Sequence, residues 1–209
     1  MKFRDLSLSD LDAVLELQNA VYDSLEDKEV LQILTREEFE GVINQGYIIG
    51  VFKGQSLVAT RSMYIPQVDE EEHLADDAKI QNKERVIYSE ITFIDPASRG
   101  QGLQTKMGEA LIQRVRESGN FDHILTTVMP TNIPSLKDKF KLGFKIVKTT
   151  YKYGGKKRHV LLLDLLNEIE LIGEAKKIHF EDTEWMLNNS EYYIGDSLTD
   201  KYINYYKKK

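Results

Sequence analysis

The sequence predicts an α/β fold: a mixed, mostly antiparallel sheet with helices on both faces, followed by a C-terminal extension. Three observations carry this. An apolar strand, Val86 to Ile94, runs through Asp95-Pro96 and the loop Ala97 to Gly102 into a helical pattern from Leu103 to Ser118. Two pairs of apolar, β-branched runs flank short turns at Lys53-Gly54-Gln55 and Gly154-Gly155-Lys156-Lys157, which marks hairpins. Segments with strand and helix patterns alternate through residues 1–165, so helices must cover a sheet.

Residues 2 to 6 read as a first strand. Ser9 with Asp12 has capping-box spacing, and Leu11, Val14, Leu15, Val21, Tyr22 and Leu25 follow at helical intervals. Thr35 with Glu38 caps a second helix whose apolar face is Phe39, Val42 and Ile43. The runs Tyr47 to Phe52 and Ser56 to Ile65 form the first hairpin. After Pro66 comes an acidic segment, Asp69-Glu70-Glu71-Glu72 and Asp76-Asp77, read as a loop with a short helix. The strand at 86–94 follows, then a helix with Leu103, Met107, Ala110, Leu111 and Val115 on one face. Gly119-Asn120 ends that helix. A strand over about 122–128, a helix opening at Thr131 to Ser135, and strands over about 144–153 and 158–165 complete the order.

The 209 residues suit one domain, or one domain with an appendage; the expected division is residues 1–165 as the domain and 166–209 as an extension packed on it. The extension carries Trp185, Tyr192, Tyr193, Tyr202, Tyr205 and Tyr206, too aromatic for a disordered tail. It either packs simply, lines an acceptor groove or builds a homodimer contact. Lys207-Lys208-Lys209 reads as a frayed, solvated end. A formal charge of -6 argues against nucleic acid as a partner. The absence of cysteine excludes disulfides, thiolate zinc sites and a cysteine nucleophile, and fits the cytoplasm. The N-terminus has no signal-like apolar core, and no run is long enough to span a membrane.

Strand, glycine loop and helix together make an anion site. The first amides of a helix lack internal partners, and the helix dipole adds positive charge there. Gly100 and Gly102 let backbone approach a phosphate, and Arg99 adds a full charge. The stretch Arg99 to Thr105 is thus a pyrophosphate cradle. No G-x-x-x-x-G-K-[ST] run exists, so it is not a nucleotide-hydrolase loop. A dinucleotide fingerprint fails as well: its third glycine is Thr105, and the next strand ends in Met129-Pro130 instead of an acid.

Arg99-Gly100-Gln101-Gly102-Leu103-Gln104 resembles the R-x-x-G-x-G/A signature of the GNAT superfamily of N-acetyltransferases, with Gln104 in place of the usual small residue. The element order over residues 1–165 also resembles that fold. Asn132, Ser135, Gly143 and Phe144 fall in register with the pattern N-x-x-A-x-x-x-Y-x-x-x-G-F found in many members. The tyrosine of that pattern, often the acid that protonates the leaving thiolate, is here Lys139. Lys139 either donates a proton, pairs with a coenzyme phosphate, or is a solvated helix lysine.

The resemblance implies acetyl-CoA as cosubstrate and no metal. It implies that the pantetheine arm bonds to the backbone of Thr92, Phe93 and Ile94, and that an amide near Phe93 or Ile94 polarises the thioester. Arg99, Gly100, Gln101, Gly102, Leu103, Gln104 and Thr105, with Asn132 and Ser135, are then the coenzyme-binding residues. Glu90 is the acid within the apolar strand and shares a face with Thr92 and Ile94. It is either a base, its pKa raised by desolvation, or an ion-pair partner. Tyr88 either lines the groove or sits in the core.

His73, His123, His159 and His179 match no metal spacing, and no G-x-S-x-G is present. The tip Lys156-Lys157-Arg158 reads as a solvated turn. The acidic segment at 69–77 is either solvated or flanks a groove for a cationic amine. The expected function is acetyl transfer from acetyl-CoA to the primary amine of a small molecule or peptide, in a direct ternary complex. A non-catalytic acyl-CoA-binding or sensing module and a nucleotide-binding domain are the alternatives.

Overall fold

A computed structural model describes residues 1–28, 31 and 33–209. The chain forms two compact units, residues 1–65 with 89–118, and residues 66–88 with 119–209.

In the first unit the strands β1 (Lys2–Asp5), β2 (Ile48–Lys53), β3 (Ser56–Tyr64) and β4 (Val86–Ile94, from Ser89 on) lie in that order. β1 is antiparallel to β2, and β2 to β3 across the turn at Gly54. Three helices accompany them: α1 (Leu11–Asp23), α2 (Arg36–Asn44) and, after the short helix α3 of the other unit, α4 (Leu103–Ser118). Leu11, Val14, Leu17 and Val21 of α1 and Phe39, Val42 and Ile43 of α2 form one core with Ile48, Phe52, Ile91 and Phe93. Leu103, Met107, Leu111 and Val115 of α4 are buried as the helical spacing requires, whereas Ala110 is exposed.

The capping prediction at Thr35 holds. Glu38 N donates to Thr35 Oγ1 at 3.2 Å and Thr35 N to Glu38 Oε2 at 2.7 Å. The box expected at Ser9 and Asp12 lies instead at Ser7 and Asp10 and opens a turn of 3-10 helix ahead of α1. Arg4 decides between the two. Its guanidinium meets the Asp10 carboxylate in two bonds of 2.6 and 2.8 Å, which fixes Asp10 against Ser7 N at 2.9 Å and holds its pKa down to about 2.

In the second unit Val86–Tyr88 of β4 pair in parallel with β5 (His123–Val128). β5 pairs antiparallel with β7 (Lys156–Asp164), which pairs with β6 (Lys145–Lys152). The helix α3 (Leu74–Asp77) lies in the acidic segment, and α5 (Ile133–Lys141) lies between β5 and β6. Beyond Asp164 the extension builds three more strands, β8 (Ile172–His179), β9 (Tyr193–Thr199) and β10 (Tyr202–Lys207), with α6 (Thr183–Asn189) after β8. They continue the sheet in the order β6-β9-β10-β8. At Gly195, paired with Ile146, a Cβ would lie 3.0 Å from Ile146 and 3.1 Å from the Tyr205 ring, so any larger residue would make these side chains shift.

The last lysines are not a frayed end. Lys208 is half-buried, and its ammonium donates to Val147 O at 2.9 Å and Ser190 O at 2.7 Å. Burial pushes its pKa below that of a free lysine. Among the described residues no helix is long and apolar enough to cross a membrane.

Candidate functional site

In the first unit the organising element is the continuous run from β4 through the loop to α4. Burial along β4 alternates after Ser89: Ile91 and Phe93 are buried, Glu90 is exposed, and Thr92 and Ile94 lie between. Phe93 is fully buried with its ring edge-on to Phe39, centroids 6.2 Å apart, so only its backbone can reach a ligand. Two bonds fix which backbone groups face where. Ile91 N points to Ser62 Oγ on β3, and Asp95 N donates to Val58 O on β3 at 2.9 Å. Alternation then turns the N–H and C=O of Thr92 and Ile94 to the opposite edge. Pairing of β4 with β5 covers Val86–Tyr88, and Thr92–Ile94 pair with β5 nowhere among the described residues. Of the Phe93 and Ile94 amides, alternation turns that of Phe93 toward β3 and that of Ile94 to the opposite edge.

After Asp95, whose carboxylate accepts from Ala97 N at 3.1 Å, a turn of 3-10 helix leads to Arg99. Gly100 and Gly102 have φ of +77° and +69°, in the region that disfavours side chains, and among the described residues no atom beyond their chain neighbours lies within 4 Å of where a Cβ would be. The two left-handed residues turn the chain sharply into α4. α4 is held from below by Arg61 of β3, a buried guanidinium that donates to Gln104 O at 2.9 Å and to Ser89 Oγ at 3.2 Å. Arg99 does not lie alone over the loop, as the sequence suggested; its Nη2 donates to Ser24 Oγ at the end of α1, at 2.9 Å. Sequence reasoning had no signal for Arg61 or Ser24, because both act through contacts distant along the chain.

Glu90 is exposed, which corrects the expectation that the apolar strand desolvates it. It faces solvent because strand alternation, not the hydrophobicity of its neighbours, decides exposure.

In the second unit Asn132 caps α5: its Oδ1 accepts from Ser135 N at 3.2 Å. The two residues are thereby brought together, and both serve the helix start. Lys139, one turn further on, is buried at 4% exposure, with Nζ 5.7 Å from the centroid of the Phe144 ring. The reading of a solvated lysine is therefore wrong. Helical spacing places Lys139 on the inward face, and the Phe144 ring offers its cation a partner there. Tyr88 is likewise a core residue. Its hydroxyl accepts from Leu74 N at 2.8 Å, its ring is edge-on to His73, and burial raises its pKa.

The acidic segment is not merely solvated. Asp77 takes Lys152 Nζ at 2.6 Å and Lys148 Nζ at 3.2 Å, both from β6. Glu72, at a left-handed φ of +56°, accepts from Lys152 Nζ through its carbonyl at 2.7 Å and from Tyr153 N through its carboxylate at 2.8 Å. Two of the acids that might have attracted a cationic amine are thus already committed to β6.

Deeper in this unit His159 is fully buried. Its Nδ1 lies 2.9 Å from Thr149 Oγ1, and its Nε2 has no hydrogen-bond partner among the described residues. Burial holds its pKa down to about 3, so it is neutral.

An open strand edge running into a glycine turn and a helix N-terminus can take an extended ligand with an anion at its end. Solved structures share this fold. An N-acetyltransferase from Staphylococcus aureus aligns at a TM-score of 0.59 and 19% identity, over 78% of this chain and 98% of that one. A ribosomal-protein-alanine N-acetyltransferase from Brucella melitensis aligns at 0.57 and 17%, over 79% and 100%. The PaiA N-acetyltransferase from Thermoplasma acidophilum, in complex with coenzyme A, aligns at 0.55 and 13%, over 78% and 98%. These likenesses show the fold. No curated protein matches the sequence. The family model of the acetyltransferase (GNAT) family matches residues 11–144, and on that match the chain belongs to the GNAT acetyltransferase family.

Proposed function

We propose that the chain transfers an acetyl group from acetyl-CoA to the primary amine of a small molecule or peptide, within a direct ternary complex. The observation that carries this is the edge of Thr92–Ile94, which pairs with β5 nowhere among the described residues, leading straight into the left-handed glycines and α4. In this reading the pantetheine arm adds to the edge at Thr92 and Ile94, with Phe93 contributing backbone only. The pyrophosphate sits on Arg99–Thr105, and Asn132 and Ser135 flank the coenzyme.

The amine nitrogen attacks the thioester carbonyl, whose oxygen gains negative charge beside Ile94 N–H. Collapse of the tetrahedral intermediate breaks the C–S bond, and the thiolate takes a proton. The amine must lose one proton to attack, its free pKa being about 10. Exposed Glu90 is the base, directly or through water. Lys139, held inside the fold, supplies a proton or a fixed positive charge. Without cysteine no acetyl-thiol enzyme forms, so initial-rate lines should intersect. The same lack of cysteine fits a cytoplasmic protein. Residues 1–165 carry the chemistry in this reading, and 166–209 are an appendage that offers a dimer contact.

Acetyl-CoA consumption screened over polyamines, amino acids, aminoglycosides and peptide N-termini tests the proposal. Turnover with one amine supports it. Lys139 at the usual tyrosine position favours a second reading, a non-catalytic acyl-CoA-binding module. Tight coenzyme binding with no turnover on any amine would select that one.

A further inference from the structure

We propose that residues 72–80 form a pH-sensitive latch in the second unit, closed while the imidazole of His73 is neutral and released when it is protonated. Every residue involved lies in that unit.

The latch is built around α3. His73 is buried at 1% exposure and caps that helix, its Nδ1 accepting from Ala75 N at 3.1 Å. The ring's own proton therefore lies on Nε2, which is buried without a hydrogen-bond partner among the described residues. Beside it, Leu74 N donates to the Tyr88 hydroxyl at 2.8 Å, and the Tyr88 ring stands edge-on to the imidazole, centroids 5.5 Å apart. Two left-handed residues that are not glycine bracket the helix, Glu72 at φ +56° and Lys79 at φ +59°. Such residues hold strain that opening relieves, and they are the points about which the helix would swing. When closed, the segment is fastened to β6 through Asp77 and Glu72, and Lys79 Nζ meets Glu191 at 2.7 Å.

A proton on Nδ1 undoes the cap. A charged imidazole only donates, so its new N–H would face the Ala75 N–H. The proton also puts a cation where water is excluded. Around it the ammoniums of Lys83 and Lys152 repel the charge, while Asp76 and Glu70 attract it. Asp76 is already engaged by Lys83 Nζ at 2.8 Å, and burial keeps Tyr88 neutral. Burial is the largest of these influences, so the closed latch holds the His73 pKa below that of a free histidine. In the open latch the ring meets water and titrates near about 6.5. Between the two values the open form binds more protons, so opening gains as pH falls and levels off below the lower value.

Amide hydrogen exchange from pH 7 to 5, corrected for the intrinsic rate, on the wild type and His73→Asn tests the latch. Asparagine keeps a capping oxygen for Ala75 N and does not titrate. In the wild type the opening equilibrium read at Ala75, Ala78 and Ile80 should rise about 10-fold over that range, and in His73→Asn about twofold at most. Amides of β7 report opening of the whole unit and should exchange more slowly than those of the latch at every pH. No rise in the wild type, or an equal rise in His73→Asn, would overturn the role of His73. Latch amides that exchange at the β7 rate would show that the segment opens only with the unit, which would overturn the latch as well. Titration of the wild-type ring by NMR needs no variant: a midpoint below about 6.5 is expected, and one at or above about 6.5 would overturn the proposal.

Discussion

Acid should destabilise this protein through one residue, His159, and Glu, Asp or the other histidines need not be invoked to see it. The unfolded chain takes up a proton on this imidazole below about 6.5. The folded chain keeps it neutral until about 3, because the ring is fully buried. Between those values the unfolded state binds more protons, so stability falls as pH falls; below the lower value the loss is complete and constant. At about 1.36 kcal/mol per unit the loss is about 2 kcal/mol at pH 5 and about 3 kcal/mol at pH 4. His159→Gln keeps a side chain able to bond Thr149 Oγ1 and removes the titration. Urea unfolding of both proteins at pH 7, 6, 5 and 4 gives the comparison. His73, whose pKa burial also lowers, is common to both and cancels. The wild type should lose about 3 kcal/mol more than the variant between pH 7 and 4. Parallel stability curves would refute the claim that the buried imidazole stays neutral.

Gly102→Ala should cost about 1–2 kcal/mol of stability through its left-handed φ and lower coenzyme affinity beyond that, read by calorimetry on the folded fraction. Undiminished affinity would move the pyrophosphate elsewhere. Glu90→Gln should lower the single-turnover rate about 10²-fold and abolish the rise of rate with pH, while coenzyme binding stays unchanged. A variant with the wild-type rate and pH profile leaves water or Lys139 as the proton acceptor. Asp77→Ala leaves Lys148 and buried Lys152 without their shared carboxylate and should cost about 3 kcal/mol in urea unfolding, against well under 1 for exposed Asp69→Ala. Equal small losses would mean the acidic segment is held by something else.

What the sequence made legible was local. The bounds of α4 and of β4, the cap at Thr35, and both hairpin turns each depend on a few consecutive side chains. Periodicity and turn chemistry report those directly. What it concealed depended on distant partners. Ser7-x-x-Asp10 and Ser9-x-x-Asp12 have the same spacing, and only Arg4 tells them apart. The acids at 72 and 77 look solvated until β6 brings its lysines to them. Lys139 sits on the inward face of α5, where pattern reading expects an apolar residue. β8 shows six consecutive exposed residues and so lacks the alternation that marks a strand. At the candidate site the glycine loop was readable because few backbones turn that way. Ser24, Arg61 and the direction of the Ile94 amide were not, since each is fixed by a neighbour far away in sequence.

The placement of β10 has a consequence for synthesis. β10 lies between β9 and β8, and among the described residues β8 pairs with no other strand. A nascent chain that has produced Ile172–His179 therefore holds that segment unpaired until Tyr202–Lys207 leave the ribosome, a wait of seconds at about 5–20 residues per second. The charges at Glu174, Lys176 and Lys177 keep the waiting segment from pairing with other chains. A product terminated just before Tyr202 would have β9 and β8 with nothing between them, and quality control would meet a strand that can never be paired.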